Sequence, residues 1–221
     1  MESIEKREVC EKCGNHRFIR TFYGDQYGKT CTGCGNFCGR KAGMNKMEYR
    51  KGLEYANELI NRMGSWCNRI EIGGGIRRKK AEPHDIEIIA KPKDGISLKE
   101  SIEDIILRSK NSGDGIFDYG LPDKNGRKAP MGEKYCRIRY RGEPVDIFIV
   151  TPPAQWGVVF LIRTGSAGFS HWFVQQGYSK HIVVRNGHME NEITHEIYET
   201  PEEEDAFRIM GVQYRNPEDR K

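Results

Sequence analysis

The sequence predicts an α+β protein built on a mixed β-sheet, with a small cysteine-rich module in front and a smaller α/β part behind. Three observations predict it. Runs alternating apolar and polar residues, as half-buried strands do, occur at 68–73, 85–90, 135–141 and 145–150. Apolar residues at helical spacing lie before the first of these runs and again after residue 97. Two Cys-x-x-Cys pairs stand at the front of the chain.

The front pairs read CEKCGN (Cys10, Cys13) and CTGCGN (Cys31, Cys34), with 17 residues between them. Each turn points two thiolates at one ion, and four thiolates close a tetrahedral site, so residues 1–43 are expected to form a ribbon around one structural Zn²⁺. Redox dithiols are the alternative, and the matched Gly-Asn flanks argue against them. Cys38 and His16 are nearby substitutes, but the symmetric four-cysteine site is simpler. So short a module has little core of its own, and zinc would supply much of its stability. Arg17, Phe18, Arg20, Phe22, Tyr23 and Tyr27 interleave basic and aromatic side chains. They suit single-stranded or junction nucleic acid, or equally the packing of a small core.

After a linker at 40–43, Asn45 and Glu48 form a candidate capping box. Leu53, Ala56, Ile60 and Met63 then share a helical face, and Gly64 closes the helix. The strand at 68–73 ends in Gly73, Gly74 and Gly75, which let a ligand approach the backbone, and whose N–H groups can cradle phosphate oxygens. Arg77 and Arg78 follow, with the planar fork that pairs with phosphate. On the next strand Asp85 and Glu87 point to one face while Ile86 and Ile88 point to the other. In VDIFIV, Asp146 projects opposite Val145 and Ile147. If the two strands are neighbours, three carboxylates converge and can hold two Mg²⁺ ions roughly 3.5–4 Å apart, the spacing of two-metal phosphoryl transfer. The bland reading is two amphipathic strands with solvated acids and a basic loop, and the ordered set as a whole argues against it. Ser97 and Glu100 make a second capping box for a helix to about Arg108, 111–130 reads as a loop or hairpin, and 135–141 alternates as a strand.

Beyond Pro152, helices are expected from Trp156 to Arg163 and from Gly168 to Gln176, and a small sheet from 178–185 and 193–198. A last helix is expected to start with Thr200 as N-cap, Pro201 at the first position and Glu203 completing the box, and to stop at Gly211. His171, His181, His188 and His195 match no metal spacing and read as surface or core residues. Cys67 and Cys136 read as buried free thiols.

The chain has 221 residues, a net charge of +4 and a pI of about 8.6, which allows nucleic-acid contact without requiring it. No apolar run is long enough for a membrane span, and MESIEKREVC lacks a signal core. Together with the cysteine usage, this gives a soluble cytoplasmic protein with no membrane partner as the expectation.

Gly74-Gly75-Ile76-Arg77-Arg78, then Asp85-Ile86-Glu87, then Val145-Asp146 with Pro152 and Pro153, resembles the palm of the family X, polymerase beta-like DNA polymerases within the nucleotidyltransferases. Arg163-Thr164-Gly165-Ser166 is similar to the family's thumb turn, and Tyr214-Arg215-Asn216-Pro217-Glu218-Asp219-Arg220 to its tail. The likeness runs over about 45–221, which makes 44–151 a nucleotidyltransferase palm and 152–221 a thumb-like domain.

The resemblance implies that Asp85 and Glu87 bridge both metals. It implies that Asp146 binds the catalytic metal and helps activate a primer 3′-hydroxyl. Gly74, Gly75, Arg77, Arg78 and Ser166 belong to the implied nucleotide site, with Thr164 and Gly165 along the sugar. It implies a minimal, monomeric DNA-directed DNA polymerase that uses Mg²⁺ or Mn²⁺ and a deoxynucleoside triphosphate on primer–template or gapped DNA, in repair or replication. Transfer to RNA, protein or a small molecule, and non-catalytic nucleic-acid binding, are the alternatives. Four departures from the family pattern stand out: Glu87 for an aspartate, Gly75 for a serine, Ile162-Arg163 for an aromatic pair, and no Asn or Arg in 170–174. The ribbon stands where members commonly carry lyase and fingers domains, so lyase activity is not expected.

Overall fold

The computed structural model describes residues 47–123 and 126–221, and of the front part only three short strands. Two compact units divide at Lys46 and Met47. In the first, β1 (Phe18–Tyr23), β2 (Gln26–Cys31) and β3 (Phe37–Cys38) form an antiparallel sheet in that order. Cys31 is the last residue of β2; the other expected zinc ligands, Cys10, Cys13 and Cys34, lie outside the described residues, as do the linker and Asn45.

The second unit opens with α1 (Tyr49–Met63). It starts after Glu48, which stands at the N-cap without a side-chain cap bond, whereas the cap expected from the sequence is Asn45. Gly52, Ala56, Leu59 and Met63 form its buried stripe, with Leu53 and Ile60 at the flanks. The core face is thus turned slightly from the one that the apolar spacing predicts. Gly64 keeps a right-handed backbone and leads into a short 3₁₀ turn.

β4 (Cys67–Ile72), the single helical turn α2 (Gly74–Arg77) and β5 (Ile86–Pro92) follow. α3 (Leu98–Ser112) is capped by Ser97, which accepts from the Glu100 amide, and runs a turn past Arg108 before stopping at left-handed Gly113. The expected loop contains β6 (Phe117–Tyr119), which pairs with β7 (Tyr135–Tyr140) before the chain returns in β8 (Glu143–Ile149).

The sheet order is β4-β5-β8-β7-β6, with β5 and β8 parallel and the other neighbours antiparallel. One face, carrying Ile86, Ile88, Val145 and Ile147, packs against Leu59, Ile102 and Ile106 of α1 and α3. Each such fully buried aliphatic side chain contributes about 1.5–3 kcal/mol. The opposite face carries Ile89, Phe148 and Val150 against Trp156 and Phe160 of α4 (Trp156–Thr164). Because side chains alternate, Glu87 and Asp146 share that second face.

α5 (Ala167–Gln175), β9 (Ile182–Arg185), β10 (His188–Asn191), β11 (Ile197–Tyr198) and α6 (Glu203–Met210) complete the unit. Their core gathers Leu161, Phe169, Phe173, Met189 and Phe207. The box at the start of α6 is made by Glu202 and Asp205, not by Thr200 and Glu203. Thr200 is fully buried and its hydroxyl donates to Gln155 Oε1 at 3.0 Å. Gly211 stops the helix in the left-handed region, as its position predicts. His188 is buried and 2.8 Å from Glu190, and Cys67 and Cys136 are buried free thiols. No helix among the described residues is long and apolar enough to cross a membrane.

Candidate active site

The parallel pairing of β5 and β8 sets Glu87 beside Asp146 in register, and Asp85 precedes the first residue of β5. Glu87 and Asp146 therefore stand side by side on adjacent strands, with Asp85 just ahead of the first. Asp146 is buried and the other two are half-buried. Burial pushes the Asp85 carboxyl up, and Asp146 pushes it further. Burial likewise raises Glu87, to about 7, with Asp85 adding to it and Arg78 opposing. Such crowded acids accumulate more negative charge than their surroundings offset.

The glycine turn closes over this cluster. Gly74 has φ +55°, and a Cβ there would lie 1.4 Å from Glu87 Oε2. Only glycine fits, since the position combines a left-handed backbone with contact against a carboxylate. The Gly75 amide donates to Glu87 Oε2 at 3.2 Å. A Cβ on Gly75 would meet nothing closer than 3.4 Å, so the place of the family's serine is sterically open.

The two arginines take different positions. Arg78 is drawn toward Glu87 and Asp85, donates to the Thr164 carbonyl, and has its pKa lowered by burial. Arg77 turns to the other side, where its Nη atoms lie 2.7 and 2.8 Å from the two oxygens of Glu203 and one donates to Thr164 Oγ1 at 2.8 Å. Its guanidinium lies 3.7 Å over the Phe160 ring. In the turn after α4, fully buried Thr164 anchors both arginines, Gly165 ends α4, and Ser166 caps α5 through the Phe169 amide.

Five groups escaped the sequence reading of the site. Arg137 stands opposite Asp146 on β7 and grips it with Nε–Oδ1 and Nη2–Oδ2 distances of 2.6 Å each. The Tyr135 hydroxyl donates to the same Oδ1 at 2.9 Å. Their signal was available, because Tyr135 and Arg137 share the outward face of an alternating strand. On the far side, Glu203 accepts from Arg77, Arg220 and Tyr214, with Arg220 at 2.8 and 3.0 Å and Tyr214 at 2.9 Å. Although burial alone would raise the Glu203 carboxyl, hydrogen bonds from Arg77 and Arg220 hold it at about 2. Two residues of the tail segment thus converge on one buried acid: Arg220 balances its charge and Tyr214 adds a hydrogen bond.

In kind, the carboxylates of Asp85, Glu87 and Asp146 fit hard, oxygen-seeking divalent cations. As placed, however, no group of three acid, histidine or cysteine side chains among the described residues is arranged to hold a metal ion, and Asp146 faces Arg137.

No protein-family model matches the chain. It is 26% identical over 163 residues to DNA polymerase lambda of Rattus norvegicus, a match spanning 66% of this chain and 28% of that protein. Among solved structures, the Leishmania infantum polymerase beta ternary P/T complex aligns with a TM-score of 0.60 at 16% identity, over 80% of this chain and 77% of that one. The ternary gap complex of the same polymerase aligns with a TM-score of 0.60 at 17% identity, over 80% of this chain and 72% of that one. The fold is that of these polymerase beta structures.

Proposed function

We propose that this chain is a minimal DNA polymerase that adds a deoxynucleotide to a primer 3′-hydroxyl on primer–template or gapped DNA. The observation that carries this reading is the in-register pair Glu87 and Asp146 on parallel strands, with Asp85 one residue before β5 and the Gly74 turn closed over Glu87. The polymerase-beta-like fold and the polymerase lambda similarity support the reaction class.

In this reading Asp85, Glu87 and Asp146 hold two Mg²⁺ or Mn²⁺ ions. Bound there, the cations supply Lewis acidity at the primer oxygen and charge neutralisation at the triphosphate. The 3′-hydroxyl gives up its proton to Asp146 as its oxygen attacks the α-phosphorus, and the bond to pyrophosphate breaks as the new ester forms. Asp146 orients the attacking hydroxyl. Arg78, anchored on the Thr164 carbonyl, faces the outgoing phosphates with the Gly74-Gly75 backbone. Gly165 lines the sugar, while Thr164, expected beside it, is buried behind as the anchor of both arginines. Arg77 acts at one remove, fixing the turn to Glu203. The zinc expected at Cys10, Cys13, Cys31 and Cys34 remains a structural assignment resting on the sequence motif.

The test is primer extension by the purified full chain on single-nucleotide-gapped DNA, recessed primer–template and a lone strand, with Mg²⁺ or Mn²⁺ and Asp146→Ala as control. Templated extension that is lost in the variant is the expected result. Extension of the lone strand would make the protein a template-independent transferase. That second reading draws on Arg163, whose guanidinium lies 4.1 Å over Phe148 where the family pattern has an aromatic residue. No extension of any DNA would overturn the polymerase reading.

A further inference from the structure

Arg137 occupies Asp146 more completely than a cross-strand ion pair requires. Its fork engages both carboxylate oxygens at 2.6 Å, and Tyr135 adds a bond to Oδ1 at 2.9 Å. An ionised carboxylate offers about two lone pairs per oxygen. Oδ1 accepts from both Arg137 Nε and the Tyr135 hydroxyl and Oδ2 from Arg137 Nη2, so a cation approaching either oxygen meets a donor already in place. Asp146 cannot turn elsewhere, because its side chain is 8% exposed on the central parallel seam of the sheet.

The arginine is the solvent-facing member of the pair. Its side chain is 45% exposed, so it reaches the buried carboxylate from solvent. On β7 its neighbours Cys136 and Ile138 point into the core on the opposite face, and neither has to shift if the guanidinium leaves. Arg137 also lies within electrostatic reach of Asp85. Arg78 plays the matching role at the other end of the cluster, near Glu87 and Asp85. Two guanidinium groups thus offset the charge of the three acids, Arg137 at Asp146 and Arg78 near Glu87 and Asp85.

We infer that Arg137 is a built-in counter-ion that competes with divalent cations for Asp146, so that its displacement gates metal loading. The inference rests on the proposed reading of Asp85, Glu87 and Asp146 as the cation site. Arg137 is therefore a positioning residue: it sets which partner Asp146 has, and it holds the cluster together when no divalent cation is present. A neutral residue there leaves Asp146 beside Asp85 with one fewer positive charge, which favours a cation and weakens the metal-free fold.

Mn²⁺ titration of the full zinc-loaded chain, without DNA or nucleotide and followed by the EPR signal of free Mn²⁺, tests this. The proteins are wild type, Arg137→Gln, Asp146→Asn and the double variant. The expected result is Mn²⁺ binding about tenfold tighter or more in Arg137→Gln, as loss of a charge-assisted fork implies. That gain should vanish in the double variant. The metal-free Tm of Arg137→Gln should fall and recover with Mn²⁺. Arg137→Lys, which keeps the charge without the fork, should lie between, and it carries the comparison if the glutamine variant does not fold. Equal affinity in wild type and Arg137 variants, with binding still dependent on Asp146, would overturn the gate and leave the cation site standing. No Asp146-dependent binding in any protein would overturn both the gate and the cation-site reading.

Discussion

Two buried acid sites lie on either side of the arginine pair, and they are opposites. Glu203 has a surplus of donors: two arginines and a tyrosine place five hydrogen bonds on its two oxygens. Asp85, Glu87 and Asp146 have a surplus of charge, and each raised carboxyl is pushed up by burial and by its neighbours. The first site is electrostatically complete and joins α2 to α6 and the tail. The second is incomplete by itself and is stabilised by whatever positive charge reaches it. Adjacent Arg77 and Arg78 divide between the two, Arg77 to Glu203 and Arg78 toward Glu87 and Asp85, a difference that the motif alone does not show.

The largest expected effect breaks the complete side. Glu203→Gln leaves buried Arg220 and half-buried Arg77 short of their counter-ion and should destabilise by about 3–5 kcal/mol in urea or guanidinium unfolding. A loss below 1 kcal/mol would mean the Glu203 network is not the joint described here.

The two sites should also respond to pH with opposite signs. Glu87 has its folded value raised from 4.5 to about 7, so its contribution is fully present below 4.5 and is lost as pH rises through 7. Glu203 has its value lowered from 4.5 to about 2, so its contribution is present above 4.5 and is lost as pH falls through 2. Each amounts to about 3 kcal/mol at most. Chemical unfolding in chelator from pH 4 to 8 should show metal-free stability falling across the window, with the slope reduced in Glu87→Gln.

Glu87→Gln itself should stabilise the metal-free protein by about 1–3 kcal/mol at pH 8, while removing the rise in Tm that Mg²⁺ or Mn²⁺ gives the wild type. Destabilisation by that change would mean the cluster is not short of positive charge. The smallest effect concerns the wall of the site. Gly75→Ser should change stability by less than about 1 kcal/mol, because its Cβ has room. Gly74→Ala, a Cβ driven into Glu87, should abolish extension and lower Tm by several degrees.

Much of the central sheet was legible, because period-two alternation states both the strand and the face on which Asp85, Glu87 and Asp146 stand. That β5 and β8 are neighbours was not in the local pattern; it came through the family resemblance. Arg137 was overlooked because a charged residue on an outward strand face usually faces water, and only the cross-strand register shows it opposite Asp146. Glu203 was misread as a cap because a Thr-Pro-Glu-Glu run carries that local signature, whereas its partners Arg77 and Arg220 lie far away in sequence. Ionic partners at long range leave no periodicity.

The parallel register of β5 and β8 limits how such a chain can vary through descent. Side chains alternate, so one residue gained or lost within either strand would turn its acids into the core of Ile86, Ile88, Val145 and Ile147 and bring those residues out. The lengths of these two strands are therefore frozen, and lineages can retune the site only by substitution. The stretch between them, 93–142, carries no such parity constraint at its turns and is where insertions and deletions should accumulate.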